Sequence, residues 1–170
     1  MSNVLNQHKL ICWFNTTAIF KKVEEADAII LGSPIYMGRV TGEMAAFMDR
    51  LLFQYSVYSD PPQSLFPKKI NSGFIYTMNA TEEQMKSSGF DKNIAFNDSM
   101  LRRIFGNAEF LLSFDTYQFG DYSKVVAPRF NPEKKAKRRE EIFPQDCEKA
   151  YDMGMRFVKK SIANSGSKNV

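Results

Sequence analysis

Residues 28–44 read AIILGSPIYMGRVTGEM, and the chemistry concentrates in Ser33, Pro34, Ile35, Tyr36, Met37 and Gly38. Pro34 fixes its own φ and holds Ser33 extended, so the chain is expected to turn out of the preceding apolar segment in one defined direction. Gly38 permits a positive φ or a close backbone approach to a ligand. Between them, backbone N–H groups and the Tyr36 ring can face a planar molecule, the ring by stacking and the amides through its polar edge atoms. A flat heteroaromatic suits that arrangement. A plainer reading stands beside it: a strand-to-helix turn punctuated by Pro and Gly, with Tyr36 as packing.

Other reactive residues are sparse. Cys12 and Cys147 lie far apart without CxxC spacing, which supplies neither a disulfide framework nor an iron–sulfur or zinc ligand set. His8 is the single histidine, in a polar leader, so triads and metal centres would have to rest on one residue. No catalytic residue and no metal ligand is assigned. The net charge of +4 owes much to PEKKAKRREE at 132–141 and to the C-terminal helix. Glu133, Glu140 and Glu141 interleave with the lysines and arginines there, the pattern of a solvated amphipathic helix, and nucleic-acid binding through phosphates is the weaker alternative.

The elements that must position these residues follow from periodicity. KLICWF at 9–14 is a short apolar run compatible with a buried strand. NTTAIFKKVEEAD reads as a three-turn helix capped by Thr16 or Thr17 and ending near Ala26. DAIILGS is almost purely apolar and β-branched, the composition of a parallel strand covered on both faces. A helix over about 41–53 places Met44, Phe47, Met48, Leu51 and Leu52 on one side, with Thr41 as its cap. The Pro61-Pro62 and Pro67 region reads as a loop, and INSGFIYTMN at 70–79 as a second strand. A further helix covers DKNIAFNDSMLRRIFG, ending near Gly106. AEFLLSFDTYQF carries a third strand at about 109–116. After a long polar, aromatic-studded stretch the last helix begins at Pro144, and 164–170 is read as a fraying tail.

Strands alternating with helices at this spacing imply right-handed βαβ units and an open, mostly parallel sheet with helices on both faces. Ligands of such sheets sit beyond the carboxyl ends of the strands. SPIYMG leaves one strand end, TMNATEE the second and TYQFGDYSK the third. With 44% hydrophobic and 25% charged residues the chain is an ordinary globular one, read as a single domain over 1–170 with an atypical leader at 1–15. Apolar runs such as Ala28–Leu31 fall far short of the roughly 20 residues a membrane span needs, and the first residues show no secretory pattern, so the expectation is a cytoplasmic protein without membrane association.

ADAIILGSPIYMGRVTGEMAAFMDRLL closely resembles the strand, flavin loop and helix of the flavodoxin-like NAD(P)H-dependent FMN reductases, including their iron–sulfur flavoprotein branch. LFPKKINSGFIYTMNATEEQM and the segment from DTYQFGDYSK onward are similar to later parts of the same oxidoreductases, so the likeness covers about residues 17–160. It implies a flavodoxin-like fold, FMN as cofactor, NADH or NADPH as reductant and an electron acceptor that is a small molecule or a protein. It further implies a homo-oligomer; the charge pattern of 132–141, not the likeness, is what leads us to expect no nucleic-acid partner. Ser33, Pro34, Ile35, Tyr36, Met37 and Gly38 fall where the family wraps the isoalloxazine ring, Thr77, Met78 and Asn79 on the second flavin loop, and Tyr117 and Tyr122 near the third. For the two tyrosines, loop packing or a subunit contact is an equal alternative.

The likeness is broken at the N-terminus. Members of the family open with a further βαβ portion whose Ser/Thr-, Gly- and Asn-bearing loop and helix N-terminus hold the FMN phosphate. Only about two dozen residues precede Asp27 here, so the chain is expected to be N-terminally shortened, and without a cysteine cluster no Fe–S centre is expected. The loss would bare an apolar edge of the AIILGS strand, to be covered by KLICWF or by a second subunit. Two functions follow: an FMN-dependent NAD(P)H oxidoreductase, or a truncated, non-enzymatic paralogue that keeps the fold as an interaction module.

Overall fold

The computed structural model describes residues 17–166. The strand expected at 9–14, Thr16, His8, Cys12 and the leader at 1–15 lie outside the described residues. The first element is helix α1, Thr17–Glu25, followed by strand β1, Ala28–Tyr36. Pro34 does not end β1. The strand continues through Tyr36 and turns back over two residues into β2, Arg39–Val40, with Tyr36 opposite Arg39. Met37 and Gly38 both have positive φ, 52° and 82°, which is the backbone of a two-residue hairpin of the twist that strands favour. The turn expected at Pro34 is therefore made three residues later, because a proline fits an extended strand whose outer edge needs no amide there.

Helix α2, Gly42–Phe53, starts as the sequence implies: the Thr41 hydroxyl accepts the Met44 N–H at 3.2 Å. Within the region read as loop, β3, Ser56–Val57, and β4, Gln63–Ser64, form a small antiparallel ladder. Strand β5, Ile70–Thr77, is followed by α3, Glu82–Ser87, which opens on a capping box between Thr81 and Gln84. Helix α4, Phe90–Phe105, ends on Gly106 at φ 98°. That left-handed backbone reverses the chain with no intervening loop, so β6 is Gly106–Ser113 rather than 109–116. After a 3-10 turn at Tyr122–Lys124 come α5, Pro132–Glu141, and α6, Phe143–Gly166, which extends into residues read as tail.

The main sheet has the order β2-β1-β5-β6, with β1, β5 and β6 parallel and β2 antiparallel. Side chains alternate between its faces. Leu31, Phe74, Tyr76 and Ala108 point into a core shared with Leu51 and Leu52 of α2, Leu101, Ile104 and Phe105 of α4 and Val23 of α1. The opposite face is covered by α6. A Cβ on Gly73 would lie 2.8 Å from Met153 Sδ and 3.0 Å from Phe157, so this glycine lets α6 sit directly on β5. The architecture is thus α/β with helices on both faces, as the alternation implied. Among the described residues, no strand pairs with Ala28–Pro34 on the edge of β1 away from β5, and no helix is long and apolar enough to cross a membrane.

Candidate functional site

Three chain segments converge beyond the carboxyl ends of β1, β5 and β6, and each carries residues singled out from the sequence. The first is the hairpin tip. Tyr36 is 57% and Met37 95% exposed, an apolar pair held out at the end of β1. Met37 is not a glycine yet sits at positive φ, a conformation that costs about 1–2 kcal/mol for an L-residue and gathers at ligand-contacting loops. The tip is anchored from below: Asn93 Nδ2 donates to Gly38 O at 3.0 Å, and the Phe90 ring lies so close that a Cβ on Gly38 would come within 2.7 Å of it. Gly38 is therefore required twice, by its φ and by Phe90, and ligand approach need not be invoked for it.

Ser33 has a different placement. Its hydroxyl is buried, donates to Pro34 O at 2.8 Å and accepts the Thr41 N–H at 3.1 Å, tying the end of β1 to the start of α2. Ile35 pairs with Val40 in the hairpin and Pro34 with Thr77 across the sheet. Met78 is buried in the core, so only its backbone faces outward. That backbone binds the second segment to the third: Met78 N–H donates to Ser113 O at 2.9 Å, Thr116 N–H to Met78 O at 2.9 Å and Asp115 N–H to Ala80 O at 2.9 Å. Asn79 donates to Gln118 Oε1 at 2.9 Å. Tyr117 packs edge-on against Tyr122, whose hydroxyl accepts the Gln118 N–H at 3.2 Å, making a small aromatic brace under the third loop.

Residues that the sequence reading left to solvent complete the site. Lys135, in the middle of PEKKAKRREE, is only 4% exposed. Its ammonium donates to Asn79 Oδ1, to Asp115 Oδ1 and, at 3.2 Å, to Asn79 O, and it lies 5.2 Å from the Phe130 ring centroid. Asp115 is itself at positive φ, 50°. One buried cation thus clamps the loops after β5 and β6 together. Arg138 and Arg139 follow on the same side of α5. Arg138 Nη2 donates to Asp146 Oδ2 at 3.0 Å, and Arg139 lies over the Tyr117 ring at 5.2 Å. The solvated-helix reading of 132–141 is corrected for this face: positions 135, 138 and 139 stand at i, i+3 and i+4, a spacing that puts them together on one side and was visible in the sequence.

Asp146, buried near the start of α6, answers these cations. Burial pushes its carboxyl upward, but hydrogen bonds from Ser113 Oγ at 2.8 Å, from Arg138 and from Lys149, together with the Arg138 charge, outweigh that and hold it below the ordinary range. A cavity of about 310 Å³ opens beside this cluster, lined by Thr77, Thr116, Tyr117, Arg138, Arg139 and Phe143. Among the described residues no group of His, Cys, Asp and Glu side chains could hold a metal ion, and Cys147 is a free, exposed thiol.

The fold and candidate site define an α/β protein whose three converging loops lie at the carboxyl end of a parallel sheet, with an exposed aromatic hairpin at the first loop. Residues 14–71 match the model of a family described as NADPH-dependent FMN reductase, a stretch that holds α1, β1, the hairpin and α2. The family resemblance of the sequence is supported over this stretch. An iron-sulfur flavoprotein of Methanocaldococcus jannaschii is 56% identical over 32 residues, 19% of this chain and 17% of that protein. Among solved structures, an NAD(P)H:quinone oxidoreductase from Methanothermobacter marburgensis is similar over 64% of this chain and 56% of its own, with 17% identity and a TM-score of 0.49. An FMN-dependent NADH-azoreductase from Bacillus anthracis, solved in complex with FMN, is similar over 79% of this chain and 61% of its own, with 10% identity and a TM-score of 0.49. The chain therefore spans about a sixth of the M. jannaschii protein and little more than half of either solved chain.

Proposed function

We propose that this protein is an FMN-dependent NAD(P)H oxidoreductase whose flavin ring rests on the hairpin tip Tyr36-Met37-Gly38. The observation that carries the reading is that tip: two large apolar side chains exposed on a strained, anchored turn, at the strand end where open parallel sheets receive ligands. It lies within the stretch that matches the FMN reductase family. A flat ring covers apolar surface there that water otherwise meets, and the backbone of Thr77, Met78 and Asn79, fixed by Lys135, supports the neighbouring edge. Tyr117 closes the third side.

When bound, FMN supplies the two-electron chemistry between a nicotinamide nucleotide and an acceptor, small molecule or protein. This chain's residues bind and orient; none is assigned as acid or base. We further propose a homo-oligomer in the cytoplasm that carries no Fe–S cluster. The test is direct. Purified protein incubated with excess FMN and gel-filtered should keep flavin absorbance and oxidise NADH or NADPH in the presence of a quinone. Protein that stays colourless and leaves FMN fluorescence unquenched would overturn the reading in favour of an interaction module that keeps the fold without the cofactor.

A further inference from the structure

Arg138 is an unusual arginine. Its side chain is 14% exposed, and one terminal nitrogen, Nη2, is satisfied by Asp146 at 3.0 Å. The other, Nη1, is fully buried and has no hydrogen-bond partner among the described residues. Asp146 does not reach it: its carboxylate accepts from Nη2, from Ser113 at 2.8 Å and from Lys149 at 3.3 Å. A buried guanidinium N–H without an acceptor is costly. Arg138 also lines the cavity of about 310 Å³ at the carboxyl end of β5, together with Arg139, Thr77 and Thr116.

We infer that this cavity is a phosphomonoester site, built by Arg138 and Arg139 with the Thr77 and Thr116 hydroxyls as neutral donors. Charge favours an anion. Among the described residues, two guanidiniums and no carboxylate line the cavity, and Asp146, the carboxylate bonded to Arg138, is taken up by Ser113, Arg138 and Lys149. Guanidinium geometry favours a tetrahedral oxyanion, which accepts from two N–H groups at once. Thr77 is the register partner of Pro34, so the site lies one strand, about 4.8 Å, from the end of β1 and the hairpin proposed to hold the ring. Tyr117 also lines the cavity, its ring under Arg139.

The phosphomonoester could be the one that ends FMN or the one that distinguishes NADPH from NADH. The inference rests on the flavoprotein reading only for the first of these, and the experiment separates them. Dissociation constants are measured at low salt for FMN against riboflavin by fluorescence quenching, and for adenosine 2′,5′-bisphosphate against 5′-AMP by calorimetry. Wild type, Arg139→Gln and Arg138→Lys are compared; the first variant loses only a ring contact and the second keeps the charge toward Asp146.

Wild type should prefer the phosphorylated member of one pair by about tenfold or more, the effect of one or two charge-assisted hydrogen bonds. Both variants should lose most of that preference while binding the unphosphorylated member within about twofold of wild type. A preference in the flavin pair identifies the flavin phosphate, and one in the adenosine pair identifies the nucleotide phosphate. No preference in either pair, no binding of any of the four ligands, or a preference that survives in both variants would overturn the site. Failure to bind either flavin with an intact adenosine-pair preference would sink the flavoprotein reading and leave the site standing. Flavin binding that ignores the phosphate, with no preference in the adenosine pair, does the reverse.

Discussion

Replacing Lys135 by alanine removes a buried side chain that joins the loops after β5 and β6, and its cost can be worked from the contacts. The ammonium is buried and donates to the carboxylate of Asp115 and to two oxygens of Asn79. Deleting one partner of a buried ion pair costs about 3–5 kcal/mol, because the remaining charge stays desolvated. Asp115 is one-third exposed and can recover some hydration, which lowers the expected loss to about 2–3 kcal/mol. Helix propensity moves the other way by only about half a kcal/mol at most, since alanine is the better helix former. For a domain of this size the loss corresponds to a fall in Tm of about 4–12 °C. Thermal denaturation followed by circular dichroism measures it, and a double-mutant cycle with Asp115→Asn isolates the pair: in the Lys135→Ala background Asp115→Asn should cost less than in wild type. A Lys135→Ala protein that melts within about 2 °C of wild type, or an Asp115→Asn cost that is the same in both backgrounds, would refute the clamp.

Three further outcomes follow from the geometry. Gly38→Ala forces a side chain into positive φ and against Phe90, so it should destabilise by about 1–2 kcal/mol in urea unfolding and weaken FMN binding; an unchanged midpoint and affinity would speak against the hairpin. Gly73→Ala places a methyl against Met153 and Phe157 and should cost about 1–3 kcal/mol, less in a Met153→Ala background where the space exists. Because the folded Asp146 carboxyl is depressed, its contribution is present above the unfolded value of about 4 and is lost as pH falls through that value toward the folded one. Ser113→Ala should shrink the drop in unfolding free energy between pH 7 and pH 3, and identical pH profiles would exclude that role.

How much of this was legible follows from where each signal lives. The AIILGS strand, the Thr41-capped helix and the closing helix are written in local periodicity and caps, and the structure has them within a few residues. The hairpin at Met37-Gly38 was not, because a methionine at positive φ carries no composition signal and two-residue strands have no period to detect. β6 was read three residues late because the reversal at Gly106 needs no loop. In the 132–141 run, net charge concealed direction: Lys135 turns inward only because Asn79 and Asp115, 56 and 20 residues away, meet it there. Such a partner is set by topology, and no local pattern states it.

The open edge of β1 has a consequence for how the sheet can be extended. The steps from β1 to β5 and from β5 to β6 run in one direction along the sheet, and α2 and α4 lie on the same face. Helix α1 packs on that face too, with Phe20 against Phe47 and Glu24 accepting from the Tyr55 hydroxyl at 2.8 Å. A strand that precedes α1 in this chain and pairs in parallel with Ala28–Pro34 would therefore make a third crossover of the same hand as the first two. A strand from another molecule meets no such restriction and can dock in either direction. The edge, with Ile30 43% exposed along it, is thus a directional socket for the protein's own chain and an unselective one for any other.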